Sequence, residues 1–166
     1  MDALAPHDVR PPTPVPAGDP GGLIDHILSR YHEVHRQQLP ELIGLARRVE
    51  SVHKGHPDVP AGLAHFLEQM EGDLVSHMLK EENILFPLLR SGGHPMVMGP
   101  IGVMRHEHLE HGDRLERLAE LTCNYTPPEG ACNSWQTLYA GLRGLTDDLQ
   151  QHIQLENEVL FPQFER

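Results

Sequence analysis

One eleven-residue pattern occurs twice in the chain and limits the folds that are compatible with the sequence. The pattern reads H-x3-E-x3-L-F-P, and it spans residues 77–87 and 152–162. A His and a Glu four residues apart on a helix lie on one face, one above the other. An imidazole nitrogen and a carboxylate oxygen on that face can bind the same transition-metal ion. One such pair is common on solvated helix faces, whereas two pairs in a shared pattern favour a metal site.

Four amphipathic stretches carry apolar residues at alternating intervals of three and four, the pattern of helices packed along an inward seam. In the fourth stretch these residues include Leu138, Leu142, Leu145 and Leu149, and several His and Glu occupy seam positions of the same series. The Pro- and Gly-containing segments that separate the stretches are short, which predicts antiparallel neighbours. The predicted fold is all-α, an up-down-up-down antiparallel four-helix bundle. The three separating segments are 56–58, 91–95 and 126–130.

The chain also contains an internal repeat. A second pattern, H-x2-H-x3-L, occurs over residues 32–39 and again over residues 108–115. Together with the first pattern it predicts two copies of one helical hairpin. Residues 1–21 contain six prolines, and we expect a disordered Pro/Gly-rich tail there, followed by the bundle over residues 22–166.

Charge and hydropathy exclude several classes of partner. The chain of 166 residues has 13 basic and 24 acidic residues, a formal charge of −11, so neither nucleic acid nor an anionic membrane surface is expected to bind it. No apolar run approaches the roughly 20 residues of a membrane span. The N-terminus lacks the layout of a signal peptide, so we predict a cytoplasmic protein. Its two cysteines are too few for a thiolate metal cage, whereas 13 histidines are an excess.

The helix rise predicts that six metal-binding side chains meet inside the bundle. In an antiparallel bundle, a residue early in an odd helix lies level with one late in an even helix. At roughly 1.5 Å per residue, four histidines fall at nearly one level, and two glutamates lie one turn away. Core histidines without a metal are the alternative, but two buried, unpaired carboxylates would be costly. The predicted metal ligands are His32, His77, Glu81, His108, His152 and Glu156.

Six protein ligands are too many for one ion that must also bind a substrate. They fit two ions, each held by two histidines, with both glutamates bridging. The mixed nitrogen and oxygen set without thiolate suits iron or manganese. We favour two non-haem iron ions with an oxo or hydroxo bridge, because this ligand field supports cycling between Fe(II) and Fe(III).

These residues resemble the hemerythrin-like domain of the repair-of-iron-centres (RIC) proteins. The resemblance covers about residues 23–164 and implies a bis-carboxylate-bridged di-iron site on the same six residues. It also implies a role in the nitrosative and oxidative stress response. The segments that carry it are Arg30-Tyr31-His32, His35 to Leu42, Val49-Glu50, Val52-His53, Ser76-His77-Met78, Lys80-Glu81-Glu82, the two L-F-P ends, Gly99-Pro100-Ile101, Val103-Met104, Glu107-His108, Pro127-Pro128, Ala131-Cys132, Trp135 and Asp147-Asp148-Leu149.

Two departures from related proteins matter. RIC proteins usually begin with a small domain that carries a cysteine pair, and a proline-rich tail stands in its place here. Oxygen-carrying hemerythrins use five histidines, with H-x3-H on the third helix and H-x4-D on the fourth. Here Met104 and Asn157 occupy the positions of the additional His and of the Asp, so reversible oxygen carriage is not expected.

The resemblance implies a protein that supports the repair of damaged iron–sulfur clusters by iron donation, with iron–sulfur proteins as the recipients. The alternative is a scavenger or sensor whose centre binds NO or O2, or an enzyme that reduces NO. The sequence leaves open whether the chain is an enzyme, and it predicts no Tyr or Cys relay on the seam near the centre.

Several other side chains receive weaker predictions. Glu82 and Glu107 neighbour ligands but project about 100° away, so solvated or outer hydrogen-bonding roles are predicted for them. For His35 and His111, hydrogen bonding to the ligands and a plain core role are both open. His53 is excluded as a ligand because it lies roughly 31 Å of helix from the ligand level. Cys123 and Cys132 are expected to be free thiols, with a redox or nitrosation role for Cys132 as the less favoured alternative.

Overall fold

The computed structural model describes residues 19–165, and these residues form four helical rods joined by three connections. The first, second and fourth rods each change locally from α-helix to one π-helical turn, while the third has no such turn. The first rod consists of Pro20–Ile27 (α), Leu28–His32 (π) and Glu33–Val52 (α). The second consists of Leu63–Lys80 (α), Glu81–Leu85 (π) and Phe86–Arg90 (α). The third consists of Pro95–Val97 (3-10) and Met98–Leu121 (α). The fourth consists of Asn133–Leu155 (α), Glu156–Leu160 (π) and Phe161–Gln163 (3-10). This is the predicted four-helix bundle.

The start of the bundle differs slightly from the prediction. The tail predicted over residues 1–21 lies outside the described residues except for its last three. Of these, Pro20 and Gly21 already belong to the first helix. Proline is well suited to the first turn of a helix, because its missing N–H would have no intrahelical acceptor there.

The three π-helical turns occur where the predicted ligands lie. In each turn a backbone N–H bonds the carbonyl five residues earlier: Glu33 to Leu28, Phe86 to Glu81, and Phe161 to Glu156. Such turns are rare and are found mainly at functional sites. The second L-F-P motif leads into the last short turn of the chain, but Pro87 does not end its helix, which continues to Arg90. Proline is tolerated there because it occupies the first turn of the resumed α-helix.

Two apolar clusters stabilise the bundle, one on each side of a polar layer. The larger cluster includes Leu39, Leu74 and Leu149, and the smaller one includes Ile27 and Phe161. Along each helix the predicted ligands fall between the residues of the two clusters. Within residues 19–165, no helix combines the length and hydropathy needed to cross a bilayer.

A pair of glycines in the fourth helix offers a test of the packing between the first and fourth helices. A Cβ atom on Gly141 would lie 2.6 Å from Cδ2 of Leu42, which is buried, whereas a Cβ on Gly144 would meet nothing within 4 Å. Alanine favours a helix over glycine by about 1 kcal/mol, while overpacking a core costs about 1–3 kcal/mol. We therefore expect Gly144→Ala to raise the free energy of unfolding and Gly141→Ala to lower it relative to Gly144→Ala. Urea denaturation of both variants measures the difference, and equal values would contradict the close contact.

Candidate metal centre

All six side chains predicted as ligands converge in the polar layer between the apolar clusters. Glu81 Oε1 lies 3.3 Å from Nε2 of both His32 and His77. Glu156 Oε1 lies 2.7 Å from Nε2 of His152 and 3.6 Å from Nε2 of His108. Each carboxylate therefore stands between two imidazoles that come from different helices.

The ligand atoms form two overlapping groups, each compact enough to surround one ion. In the first group, one ligand atom each from His77, Glu81, His108 and Glu156 lie within 4.8 Å of one another. In the second group the same holds for His32, Glu81 and His152. Among the described residues, Glu81 is the side chain that the two groups share.

The six side chains are buried, and several of their polar atoms have no hydrogen-bond partner. Glu81 and Glu156 are both 0% exposed, and within residues 19–165 none of their four carboxylate oxygens makes a hydrogen bond of good geometry, although Glu156 Oε1 lies 2.7 Å from His152 Nε2. Nε2 of His32 and Nε2 of His152 also lack one. Burying such groups without a partner costs several kcal/mol. A cation at the centre of the layer would satisfy all of them at once.

Each of the four histidines is oriented by a side chain from another helix, which bonds Nδ1 and leaves Nε2 facing the centre. His32 Nδ1 donates to Glu82 Oε2 at 2.6 Å, and His77 Nδ1 donates to Glu107 Oε1 at 3.0 Å. These contacts fix the ring and the tautomer, as is common for histidines that bind metals. Of the two roles predicted for Glu82 and Glu107, the structure shows the outer hydrogen bond.

The other two histidines complete a ring of contacts around the bundle. His108 Nδ1 donates to Asn157 Oδ1 at 2.8 Å, and His152 Nδ1 bonds His35 Nε2 at 3.1 Å. The bonds thus run from the first helix to the second, the second to the third, the third to the fourth, and the fourth back to the first. We name these four bonds the outer ring.

Salt bridges hold the two carboxylates of the outer ring from outside. Arg36 Nη1 and Nη2 bond the two oxygens of Glu82 at 2.7 and 2.9 Å. Lys80 Nζ bonds Glu107 Oε2 at 2.7 Å. Although burial opposes it, these cations and the bonded histidines lower the pKa of both Glu82 and Glu107. Both glutamates are therefore charged acceptors, which strengthens their bonds to His32 and His77.

The internal repeat is broken at two positions of this layer, one of which is the residue after the ligand glutamate, Glu82 in the first hairpin and Asn157 in the second. The residue before the ligand is Glu107 in the second hairpin but Tyr31 in the first. Glu107 accepts the hydrogen bond of His77, whereas the Tyr31 ring stacks on His152, with centroids 5.2 Å apart and planes at 11°. In the first hairpin it is His35, and not Tyr31, that bonds the ligand His152. Its counterpart His111 packs edge-on against His77, at 4.8 Å between centroids, and within residues 19–165 its Nδ1 has no partner.

Tyr31 lies next to the centre, although the sequence predicts no Tyr or Cys relay on the seam. Its side chain is 4% exposed and lies against a predicted ligand, His152. Burial raises the pKa of its phenol. The neighbouring Arg30, whose guanidinium lies 5.0 Å from the Tyr31 ring centroid and bonds Asp148, helps to fix this position.

The two Phe residues of the L-F-P motifs form apolar walls beside the ligands. Phe86 stacks on His32 at 5.7 Å and Phe161 stacks on His108 at 5.9 Å between ring centroids. On the side of the second and third helices, an open cavity of about 590 Å³ reaches Glu107 and His111. The layer is thus closed by aromatic rings at one end and approached from solvent between two helices.

Burial sets the charge state of the imidazoles. It lowers the pKa of both His32 and His77 to about 4, and the pKa of both His35 and His111 to about 3, with neighbouring histidines adding to the effect for His35 and His111. These rings are therefore neutral at pH 7, which is the form that binds a metal ion.

The two carboxylates share one buried environment, but their pKa values are shifted in opposite directions. Burial raises the pKa of Glu81 well above its usual range, and the negative Glu156 raises it further. Although burial acts in the same direction on Glu156, His152 and the adjacent Glu81 and His108 hold its pKa well below the usual range. Without a metal the pair therefore keeps one proton, which a cation would displace.

The remaining predicted residues lie away from the centre. His53, excluded as a ligand, contacts Cys132 at the other end of the bundle. His106 is exposed on the third helix and pairs with Glu110. Cys123 and Cys132 are both free thiols, as predicted. Sequence reasoning did not assign Asn157 to His108 or Tyr31 to His152, because both contacts depend on which side chain of a neighbouring helix reaches the ring.

We expect the metal-free protein to lose stability in mild acid. Folding depresses the pKa of His35 and His111 to about 3. Their contribution to the free energy of unfolding is therefore fully present above about pH 6.5, the pKa of histidine in the unfolded chain. It is lost as the pH falls toward 3. At pH 5 each of these two histidines lowers the free energy of unfolding by about 2 kcal/mol. His32 and His77, whose pKa is about 4, add to the loss, and Glu81, with its raised pKa, offsets part of it. Urea denaturation at pH 7.5 and pH 5 measures the loss, which should be smaller in His111→Leu. The exposed control His106→Leu should retain it, and pH-independent unfolding of the original chain would contradict the prediction.

The chain is similar to known proteins of one family. The family model described as the hemerythrin HHE cation binding domain matches residues 23–164. The chain is 52% identical over 140 residues to the iron-sulfur cluster repair proteins YtfE of Escherichia coli O1:K1 / APEC, of E. coli strain SMS-3-5 / SECEC and of Escherichia fergusonii. The match covers 84% of this chain but only 64% of each relative. The chain therefore belongs to the hemerythrin HHE cation-binding domain family.

Proposed function

We propose that the chain holds two iron ions in the polar layer of the bundle and uses them to support the repair of damaged iron–sulfur clusters. The observation that carries the proposal is the set of buried His and Glu atoms without partners, which form two overlapping groups of ligand size. Their nitrogen and oxygen donors, without thiolate, are suited to iron.

The two groups suggest how the ligands would be divided. His77, His108, Glu81 and Glu156 would hold one ion, and His32, His152 and Glu81 the other. Glu156 Oε1 contacts both His108 and His152, so this carboxylate would serve either ion. When bound, the iron pair would supply one-electron redox chemistry and open positions for a small ligand.

The chain itself contributes orientation, charge and exclusion of water. The outer ring holds the four Nε2 atoms toward the centre, and burial keeps the imidazoles of His32 and His77 neutral by lowering their pKa. Charged Glu82 and Glu107 increase the basicity of the two histidines they bond. Asn157 bonds His108 in the outer ring and Met104 is buried in the smaller apolar cluster, which supports an iron site other than that of the five-histidine oxygen carriers.

The link to cluster repair comes from the relatives, whose name is iron-sulfur cluster repair protein. The chain spans about 64% of their length, so their activity and the iron–sulfur proteins as recipients form part of the proposal. Glu81 lies in both groups, and Glu156 contacts a histidine of each. This sharing supports iron donation, because a carboxylate that serves both ions could stay with one ion while the other ion leaves.

Mössbauer spectroscopy on protein expressed in iron-57 medium tests the metal, and a repair assay tests the role. We expect about two irons per chain that are magnetically coupled when oxidised. We also expect a cluster enzyme damaged by NO to recover faster with the loaded protein than with an equal amount of ferrous ion. Recovery at the same rate would contradict donation, and zinc or no metal after anaerobic reconstitution would contradict the di-iron site.

A second candidate, binding or reduction of NO or O2, is favoured by one observation. The cavity of about 590 Å³ between the second and third helices reaches Glu107 and His111, which both contact His77. A small gas would have a short route from solvent to the layer. Stopped-flow mixing of the reduced protein with NO, followed by product analysis, tests it. Absence of nitrous oxide among the products would exclude reduction of NO, and binding or sensing of the gas would then be the second candidate.

A further inference from the structure

A second group of chemically active side chains lies at the end of the bundle opposite the metal layer. His53, at the end of the first helix, has its Nε2 atom 3.1 Å from Sγ of Cys132. Both residues are partly exposed. A thiol within hydrogen-bond distance of an imidazole can lose its proton to it, and this pairing is the basis of activated cysteine nucleophiles.

Cys132 also lies at the start of the fourth helix. It is the residue immediately before Asn133, and its carbonyl accepts the first helical bond from Gln136. Its side chain makes no hydrogen bond to the first turn, so the helix N-terminus acts on the sulfur only through its dipole.

A buried indole fixes His53 in this cluster. Trp135 is 1% exposed, and its ring lies 4.8 Å from the His53 ring and 5.2 Å from the His56 ring, between centroids. The indole N–H is directed at the Tyr139 hydroxyl. The packing of His53 on this ring holds its imidazole beside Cys132.

We propose that Cys132 and His53 form a thiol–disulfide exchange site for a low-molecular-weight disulfide. His53 Nε2 takes the thiol proton of Cys132, and the thiolate attacks one sulfur of the small disulfide. A new bond forms between Cys132 Sγ and that sulfur, the original S–S bond breaks, and the leaving thiolate receives the proton from His53. Cys132 is oxidised, the small disulfide is reduced, and excess small thiol reverses the step.

Cys123 provides an internal control in the same chain. It is exposed, whereas Cys132 is partly buried, so accessibility alone predicts that Cys123 reacts faster. Activation by His53 and the helix N-terminus predicts the opposite order. The two thiols are the only ones in the 166-residue sequence, so each can be followed alone in the variants Cys123→Ser and Cys132→Ser.

The test measures the rate of mixed-disulfide formation with oxidised glutathione at pH 7.5, by mass spectrometry of the full chain. We expect Cys132 to react at least about tenfold faster than Cys123, and His53→Gln to remove most of this difference, since a positioned base contributes factors of this size or more. His56→Gln is the matched control, because His56 also packs on Trp135 and should leave the rate unchanged. Unaltered Cys123 reactivity and helical circular dichroism establish that each variant is folded.

Two outcomes would overturn the proposal. The first is a Cys132 rate equal to or below that of Cys123 in the unsubstituted chain, which does not depend on the folding of any variant. The second is a folded His53→Gln variant in which Cys132 keeps its full rate. Neither measurement depends on bound metal, so the proposed iron site and this thiol site can fail independently.

Discussion

Replacing Glu81 with glutamine is expected to lower the iron content from about two ions per chain to one or fewer. Among the described residues, Glu81 is the side chain shared by both ligand groups, so its loss affects both ions. An amide supplies neither the negative charge nor the strong oxygen donor that the carboxylate provides to a cation. Iron per chain is measured by mass spectrometry of the metal after anaerobic reconstitution and gel filtration.

The matched control for this variant is Glu158→Gln. Glu158 lies in the corresponding π-helical turn of the fourth helix, two residues after Glu156, but is exposed. This control should keep its full iron content. If Glu81→Gln also keeps two irons, Glu81 is not a shared ligand and the proposed division of the six residues is wrong.

The second large effect is expected at the outer ring. Glu82→Ala removes the carboxylate that accepts the Nδ1–H of His32 and that binds Arg36. Removing such a partner of a metal-binding histidine typically lowers the metal affinity by about 10–100-fold. We expect a loss of this size, measured by competition with a chelator of known affinity. Arg36→Met should give a smaller loss of metal affinity, because it removes the salt bridge that positions Glu82 but leaves the bond from Glu82 to His32.

Asn83→Ala is the control for Glu82→Ala, since Asn83 is the next residue of the same turn and is exposed. Its affinity should equal that of the unsubstituted chain. Equal affinities of the Glu82→Ala and Asn83→Ala variants would mean that the bond to His32 does not contribute to metal binding.

The fold and the meeting of the six predicted residues could be predicted from the sequence, because both depend on regular geometry. An apolar period between three and four specifies helices, and short connections specify antiparallel packing. The rise per residue then places His32, His77, His108 and His152 at one level. None of these steps requires knowledge of an individual side-chain conformation.

The π-helical turns and the partners of the histidines could not be predicted in the same way. A π-helical turn adds one residue to a helix and so rotates the following side chains by about 100° around the axis. Ile84 and Leu85 are both apolar, so the sequence does not show which of them faces the core, whereas in the structure Leu85 is buried and Ile84 is exposed. Whether Glu107 or His111 reaches His77 depends on the rotamers of neighbouring helices. Tyr31 was missed for the same reason, because its position in the sequence gives no indication that its ring turns toward His152.

The outer ring has a consequence for the origin of the chain. Two of its four bonds join helices of the same hairpin, and the other two join one hairpin to the other. A single hairpin can therefore orient only one of its two ligand histidines. If the repeat arose by gene duplication, an ancestral single hairpin would have completed the site only as a homodimer. Fusion of the two copies then made it possible for two positions to diverge, one into Tyr31 and Glu107 and the other into Glu82 and Asn157.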